Sequence, residues 1–414
     1  NILFFLSLCM VPMPLFMDLA SFELVISEGV FSSEPLIPLP LSIIITFISF
    51  PLFFILSKKH KINFFLMKRE YWILISLVII FIFYSTMVSG VSLIRAIQLI
   101  FFVAPIMFFL RIDCSKLETK FIFYFLFFTT LFFISHILSI ASLVDGFHIG
   151  KRVFGVYWGY DIYQSLVSYP AVIFLYLALS YFIAFFSNYE RKIKNVATLL
   201  MFCSIFLLFS AARKISMVEV ISLFLISMSY ILTVNIVYKK NIGRFFLKKK
   251  GIMVIVLNSL LGWGVSVYFF SSPLYKRLIQ QIDNNNFDGS RLRNWSEGFD
   301  FITKDITIFL VGNFPTGSPG HHNYLLDTIS RVGVFGLAQI IIIALLAIIF
   351  IRKFYIIKKG FDFKGYLITV LFLSLLLQST VNSALTQPYY LVNFFIVFII
   401  TLNMNNFRIG RINV

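Results

Sequence analysis

Residues 321–350 read HHNYLLDTISRVGVFGLAQIIIIALLAIIF, and they follow the turn-rich segment GNFPTGSPG at 312–320. Upstream, 271–305 (SSPLYKRLIQQIDNNNFDGSRLRNWSEGFDFITKD) is the longest polar run of the chain. Two histidines and an asparagine thus stand where a polar stretch turns apolar. A helical crossing of a bilayer needs about 20 mainly apolar residues. The stretch is expected to form a polar loop that enters a membrane helix at its histidines, with that helix spanning 322–350.

The same apolar signal recurs along the chain. Of 414 residues, 59% are hydrophobic and 53 are Phe. In lipid only helices and closed barrels satisfy their backbone, and the runs lack the alternation of a barrel. The expected fold is all-α: a polytopic integral membrane protein with about twelve transmembrane helices. The runs fall at 2–17, 39–57, 72–88, 93–110, 121–143, 165–187, 196–211, 215–238, 252–271, 322–350, 366–385 and 389–405. Residues 1–414 form a single transmembrane domain on this reading. Residues 272–321 are its large outer loop and 144–164 a smaller one. The first run lacks a small-residue cleavage site and reads as a retained span.

Charge supplies the orientation. Alternate connecting segments and the C-terminal tail hold 24 of the 35 Lys and Arg residues and five of the 18 acids. One side therefore carries +19 and the remainder −2, which places the basic side and both termini in the cytoplasm. The net charge of +17 is a topology signal on this count, and nucleic acid is not an expected partner. Cys9, Cys114 and Cys203 lie far apart in or beside apolar runs and read as small buried residues.

Basic residues on the outer side run against the orientation signal. Arg95 lies just inside the fourth run. Lys151 and Arg152 lie in the smaller loop. Arg213 and Lys214 sit in a tight turn between two runs, with Glu219 below them as a counter-charge. Lys276, Arg277, Arg291, Arg293 and Lys304 lie in the large loop, and Arg331 follows Asp327 by four residues, the spacing of a helical ion pair. Snorkelling or pairing with nearby acids accounts for such residues structurally. The functional alternative is a cluster of guanidinium forks for phosphate.

Histidine is the natural proton acceptor near neutral pH. His60 and His136 read as structural, and His148 as a residue of the smaller loop. His321 and His322, with Asn323, stand at the water–lipid boundary. No ligand spacing for zinc appears, so no metal and no cofactor are expected. Arginines, a histidine and a membrane suit a substrate with a lipid tail, an anionic head and hydroxyl groups. The guanidinium groups would hold a diphosphate and stabilise it as it leaves. A neutral imidazole would take the proton of an attacking hydroxyl. Tyr157, Trp158 and Tyr160 would stack on sugars or anchor at the interface.

These residues carry a resemblance. His322-Asn323, nine residues, Gly333, two residues, Gly336 resembles the signature of the O-antigen ligase and O-antigen polymerase superfamily. GSRLRNWSEGFDFI resembles that family's segment before the histidine motif, with Arg291 on its arginine. SAARKIS resembles its short outer turn, with Arg213 on the basic position. KRVFGVYWGYDIYQS resembles an earlier loop, with Arg152 on its arginine and Asp161 near a position where many members have Asn. A literal Arg-x10-Gly repeat is absent from the outer loops.

The resemblance implies a metal-independent, inverting glycosyltransferase at the periplasmic face of a bacterial inner membrane. His322 would be its base. Arg213, Arg291, Arg152 and Lys214 would hold the diphosphate, with His321, Asn323, Arg293, Arg95 and Glu219 in support. Its substrates would be undecaprenyl-diphosphate-linked oligosaccharides among membrane lipids, with a chain-length regulator and a flippase as protein partners. A polymerase joins such units; a ligase passes the chain to lipid A–core. A transporter of lipid-linked sugars and a scaffolding protein are the readings from other classes.

Overall fold

The computed structural model describes residues 25–27, 30–32, 114–143, 156–157, 160–161, 169–210, 220, 222–223, 256, 259, 279–280, 290–313, 323–334, 337, 341, 344–345, 348–349, 363–382 and 388–404. These are helical apart from two short hairpins and the connecting turns, so the chain is all-α in class. The longer helices are α1 (Cys114–Leu143), α2 (Tyr169–Phe186), α3 (Arg191–Ser210), α4 (Ser290–Lys304), α5 (Ile306–Val311), α6 (Tyr324–Val332), α7 (Phe363–Asn382) and α8 (Pro388–Asn403). The hairpins pair β1 (Val25–Ser27) with β2 (Val30–Ser32), and β3 (Val156–Tyr157) with β4 (Tyr160–Asp161), both antiparallel. The sequence separates each pair of strands by two residues, the second a glycine (Gly29, Gly159). That is the loop length and residue type of tight hairpin turns.

α2 is the hub. It packs against α3, α7 and α8, while α1 packs on α3. Every residue from Ala171 to Ile183 is buried, so α2 is covered on all sides, as its all-round apolar sequence requires. A polar group in such a helix needs a partner inside the bundle. Tyr176 finds one on α8: its hydroxyl donates to Asn393 Oδ1 at 2.8 Å. Its ring also meets Phe125 and Phe133 of α1, at centroid distances of 6.1 and 5.7 Å.

Most other buried hydroxyls use their own helix. Thr129 and Thr130 on α1, Ser204 on α3 and Thr401 on α8 each donate to the carbonyl four residues earlier, at 2.6–2.8 Å. That bond satisfies the hydroxyl without a second helix. Ser187 does the same to Ile183 at 2.5 Å, just past the end of α2.

Helix ends differ from the apolar runs where charge is concerned. α1 starts at Cys114 and α3 at Arg191, so Lys116, Lys120, Arg191, Lys192 and Lys194 lie in the first two turns of helices rather than in loops. Lys192 pairs with Glu190 at 2.9 Å, with both side chains exposed. Among the described residues no helix is long and apolar enough to cross a membrane. The runs at 2–17, 39–57, 72–88 and 93–110 lie outside the described residues.

Within 272–321, the structure forms α4 and α5. One expectation is corrected. The helix expected over 322–350 is broken: α6 ends at Val332, and Gly333 has φ 67°. Val334, Leu337, Ile341, Ala344, Leu345, Ile348 and Ile349 are helical beyond the break.

Tyr176→Phe is expected to cost about 0.5–1.5 kcal/mol, the usual net worth of a hydrogen bond. Thermal unfolding of the purified chain in detergent measures this. An unchanged midpoint would show that the Tyr176–Asn393 bond contributes nothing net.

Candidate functional site

α4, α5 and α6 form one small unit around the histidine motif. All three contact one another, and α6 also contacts α7, which joins the unit to the bundle. Its core is Ile302 of α4 with Leu326 and Ile329 of α6, covered by Trp295, Phe309 and Leu337. Trp295 and Ile302 are seven apart and Leu326 and Ile329 three apart, so each pair lies on one helix face.

Local capping fixes the unit's turns. Asp305 is the N-cap of α5 and its Oδ1 accepts the Thr307 N–H at 2.8 Å. Asn323 is the N-cap of α6, and its Oδ1 accepts from the backbone N–H groups of Leu325 and Leu326 at 3.0 and 3.3 Å. The Asn of the His-Asn pair thus has a structural task, satisfying two of the four orphan donors of a helix start. After α5, the Asn313 N–H donates to the Ser330 carbonyl at 2.8 Å, tying the chain back onto α6.

Gly333 closes the other end of α6. Its N–H donates to the Ile329 carbonyl at 2.8 Å. A Cβ built at Gly333 would lie 2.4 Å from the carbonyl carbon and oxygen of Leu310 and 2.6 Å from the Val311 nitrogen. Backbone lies against backbone there, and φ is positive, so two independent constraints select glycine. The neighbour that approaches so closely is α5 of the polar loop, and the contact lies at a helix end.

α6 carries an unusual burial pattern. Asp327 is 6% exposed and Thr328 and Ser330 are 0% exposed. The Thr328 and Ser330 hydroxyls have no hydrogen-bond partner, and neither does the Trp295 indole nitrogen. Leaving such a group buried and unsatisfied costs about 1–3 kcal/mol.

Of the other expected site residues, Arg291 lies in the first turn of α4. Arg293, one position beyond Leu292, has a side chain 78% exposed and pairs with Glu297 at 2.9 Å, four residues on. Its charge is held by its own helix, which is the pairing expected of a structural arginine. Arg331 lies on α6. Arg95, Arg152, Arg213, Lys214, Glu219, His321, His322 and Gly336 lie outside the described residues. Among the described residues no three of His, Cys, Asp and Glu converge as metal ligands.

Searched against models of known protein families and against characterised proteins, the sequence has no match.

Gly333→Ala is expected to destabilise the unit by about 2–6 kcal/mol, combining positive-φ strain with overpacking. Amide exchange in α5 and α6 reads the loss; wild-type protection would refute the close approach. A second outcome concerns pH. The Thr307 hydroxyl and N–H bonds hold the Asp305 carboxyl below its ordinary range. A carboxyl lowered in the folded state stabilises it above the unfolded value, and that contribution is lost as pH falls through the folded value. Protection of the Thr307 amide should therefore fall on acidification in the wild type. Asp305→Asn should lose most of that dependence, and an equal dependence in both would assign it elsewhere.

Proposed function

We propose that this chain is an integral membrane glycosyltransferase that joins undecaprenyl-diphosphate-linked oligosaccharides at the periplasmic face, an O-antigen polymerase. The observation that supports the reading is the folded form of the Asn323-x9-Gly333 part of the motif. Asn323 starts a nine-residue helix, Gly333 ends it, and both are held by backbone contacts. The spacing of the motif therefore has a physical cause: it is the length of one helix locked at both ends.

Membrane residence is supported by the outward faces of the bundle. Phe127 and Leu131 of α1, Leu199 and Phe202 of α3, and Leu376 of α7 are exposed, as are Ile341, Leu345, Ile348 and Ile349 beyond the break. Exposed large apolar side chains on several helices suit lipid rather than water. Phe299, Ile306, Leu310 and Val311 are exposed on the α4–α5 unit, as suits a loop resting against the bilayer.

In the proposed reaction, Arg213 and Arg291 hold the donor diphosphate, with Arg152 and Lys214 assisting. An acceptor hydroxyl oxygen attacks the anomeric carbon from the face opposite the diphosphate. The new glycosidic C–O bond forms as the C–O bond to the diphosphate breaks. The hydroxyl proton passes to His322, and undecaprenyl diphosphate leaves as the anion. His322 is the residue immediately before the cap of α6.

His322→Ala is expected to lower transfer about 10²–10⁴-fold, the usual worth of a general base, with protein level unchanged. Arg213→Lys should also impair transfer, since a point charge replaces a planar fork. Both are read on polysaccharide from a strain lacking the chromosomal copy. Single repeat units on core mark a polymerase; no repeat on core, with lipid-linked chains accumulating, marks a ligase. Normal long chains in the strain itself would refute glycosyl transfer altogether.

A further inference from the structure

α5 reads ITIFLV, apolar everywhere except Thr307, yet none of its residues is buried. Ile308 and Phe309 are half-buried, and Phe309 covers the Ile302 cluster. Ile306, Leu310 and Val311 are exposed. Val311 is 71% exposed and Ile306 67%, the two highest values for large apolar side chains among the described residues. Ile306 and Leu310 are four positions apart and share one helix face. Apolar side chains scattered singly over a surface are ordinary, but three on one short helix form a patch. The helix carries no charge of its own. Exposed Lys304 and Asp305 immediately precede it.

The patch continues into a longer apolar surface. Gly333 lies against the Leu310–Val311 peptide, so α5 meets the chain one residue before Val334. Val334 is exposed, and so are Ile341, Ala344, Leu345, Ile348 and Ile349. Those intervals keep to one side of a helix. At the helical rise the stripe from Val334 to Ile349 is about 22 Å long, most of the ~30 Å thickness of a hydrocarbon core. α5 stands at one end of this stripe. With a length of about 9 Å it is far too short to cross lipid. The place left for it is the boundary where hydrocarbon meets headgroups, which accepts an apolar face beside a charged flank.

We propose that α5 is an interfacial anchor whose Ile306, Leu310 and Val311 side chains insert into the lipid surface on the side that holds the polar loop. Lys304 would extend from that face towards the headgroups, keeping its stem against apolar surface. Lipid is the occupant because the patch prolongs a stripe whose length matches a bilayer core. The proposal rests on the membrane residence of the proposed function and adds the element that sets depth. Backbone contact locks α5 to Gly333, so the depth of α5 fixes the depth of that end of α6.

The test places a nitroxide label at Ile306→Cys, Leu310→Cys or Val311→Cys, with Thr303→Cys as the reference. Each is made in the full chain carrying Cys9→Ala, Cys114→Ala and Cys203→Ala. The chains are reconstituted in vesicles of phosphatidylethanolamine and phosphatidylglycerol. Collision of each label with oxygen, which concentrates in lipid, is compared with collision with a water-soluble nickel chelate. Oxygen should dominate at 306, 310 and 311 and the chelate at 303. Chelate-dominated collision at all three α5 positions would overturn the anchor. Spin–spin broadening lost on dilution with unlabelled chain would also overturn it, because the patch would then be covered by a second copy. Should the labelled chains fold poorly, the unsubstituted chain is irradiated in vesicles holding a phospholipid with a diazirine next to its headgroup. Adducts within 305–312 support the anchor, and their absence there overturns it. Failure of membrane residence looks different, since the chain would not float with the vesicles, and the anchor falls with it. Failure of glycosyl transfer, seen as normal long chains in the deletion strain, would leave the collision ratios unchanged.

Discussion

The contact between the Gly333 backbone and the end of α5 holds the histidine motif together. At that distance no side chain fits, and no other residue accepts the backbone angle at low cost. The close approach fixes where α6 ends and how α5 lies across it. The Asn313-to-Ser330 hydrogen bond and the Ile302–Leu326–Ile329 cluster follow from the same placement. A nine-residue helix is too short to persist alone in water. α6 persists because its start is capped, its end is pinned and one face is buried on α4 and α5.

Polar groups are treated in two ways in this chain. Within the bundle many are answered nearby, by the preceding turn or by a partner such as Asn393 for Tyr176. On α6 the polar residues are adjacent, buried and partly unanswered. Stability alone would favour apolar residues at such positions, because an unsatisfied buried group costs more than the pair it replaces.

Much of the bundle was legible in the sequence, since a buried helix needs an apolar run and such runs are visible as composition. α1, α2, α3, α7 and α8 overlap runs expected as helices. Their extra first turns were not visible, because a hydropathy boundary marks where lipid would end, whereas Lys116 and Arg191 are good helix formers in either medium. α4 was hidden by its polarity, although the Arg293–Glu297 spacing and the seven-residue interval from Trp295 to Ile302 were signals for it. The cap at Asp305 was a signal for α5. The break at Gly333 was hidden for another reason: apolar residues continue on both sides, and hydropathy carries no information about the sign of φ. The hairpin around Glu28-Gly29 and that around Trp158-Gly159 were marked only by their glycines. In the site, Asn323 and Gly333 were singled out by spacing, but their tasks as cap and close-approach residue depend on three-dimensional neighbours.

The cap at Asn323 decides where α6 begins. Its side-chain oxygen is spent on the backbone donors of Leu325 and Leu326, which leaves two fewer orphan donors at the helix start. An Asp at the cap would accept the same two bonds and would add a negative charge at the positive end of the helix. Helix stability therefore gives no reason to choose Asn over Asp at position 323. The proposed function gives one: a neutral amide caps the helix without setting a carboxylate beside the residue proposed as the base.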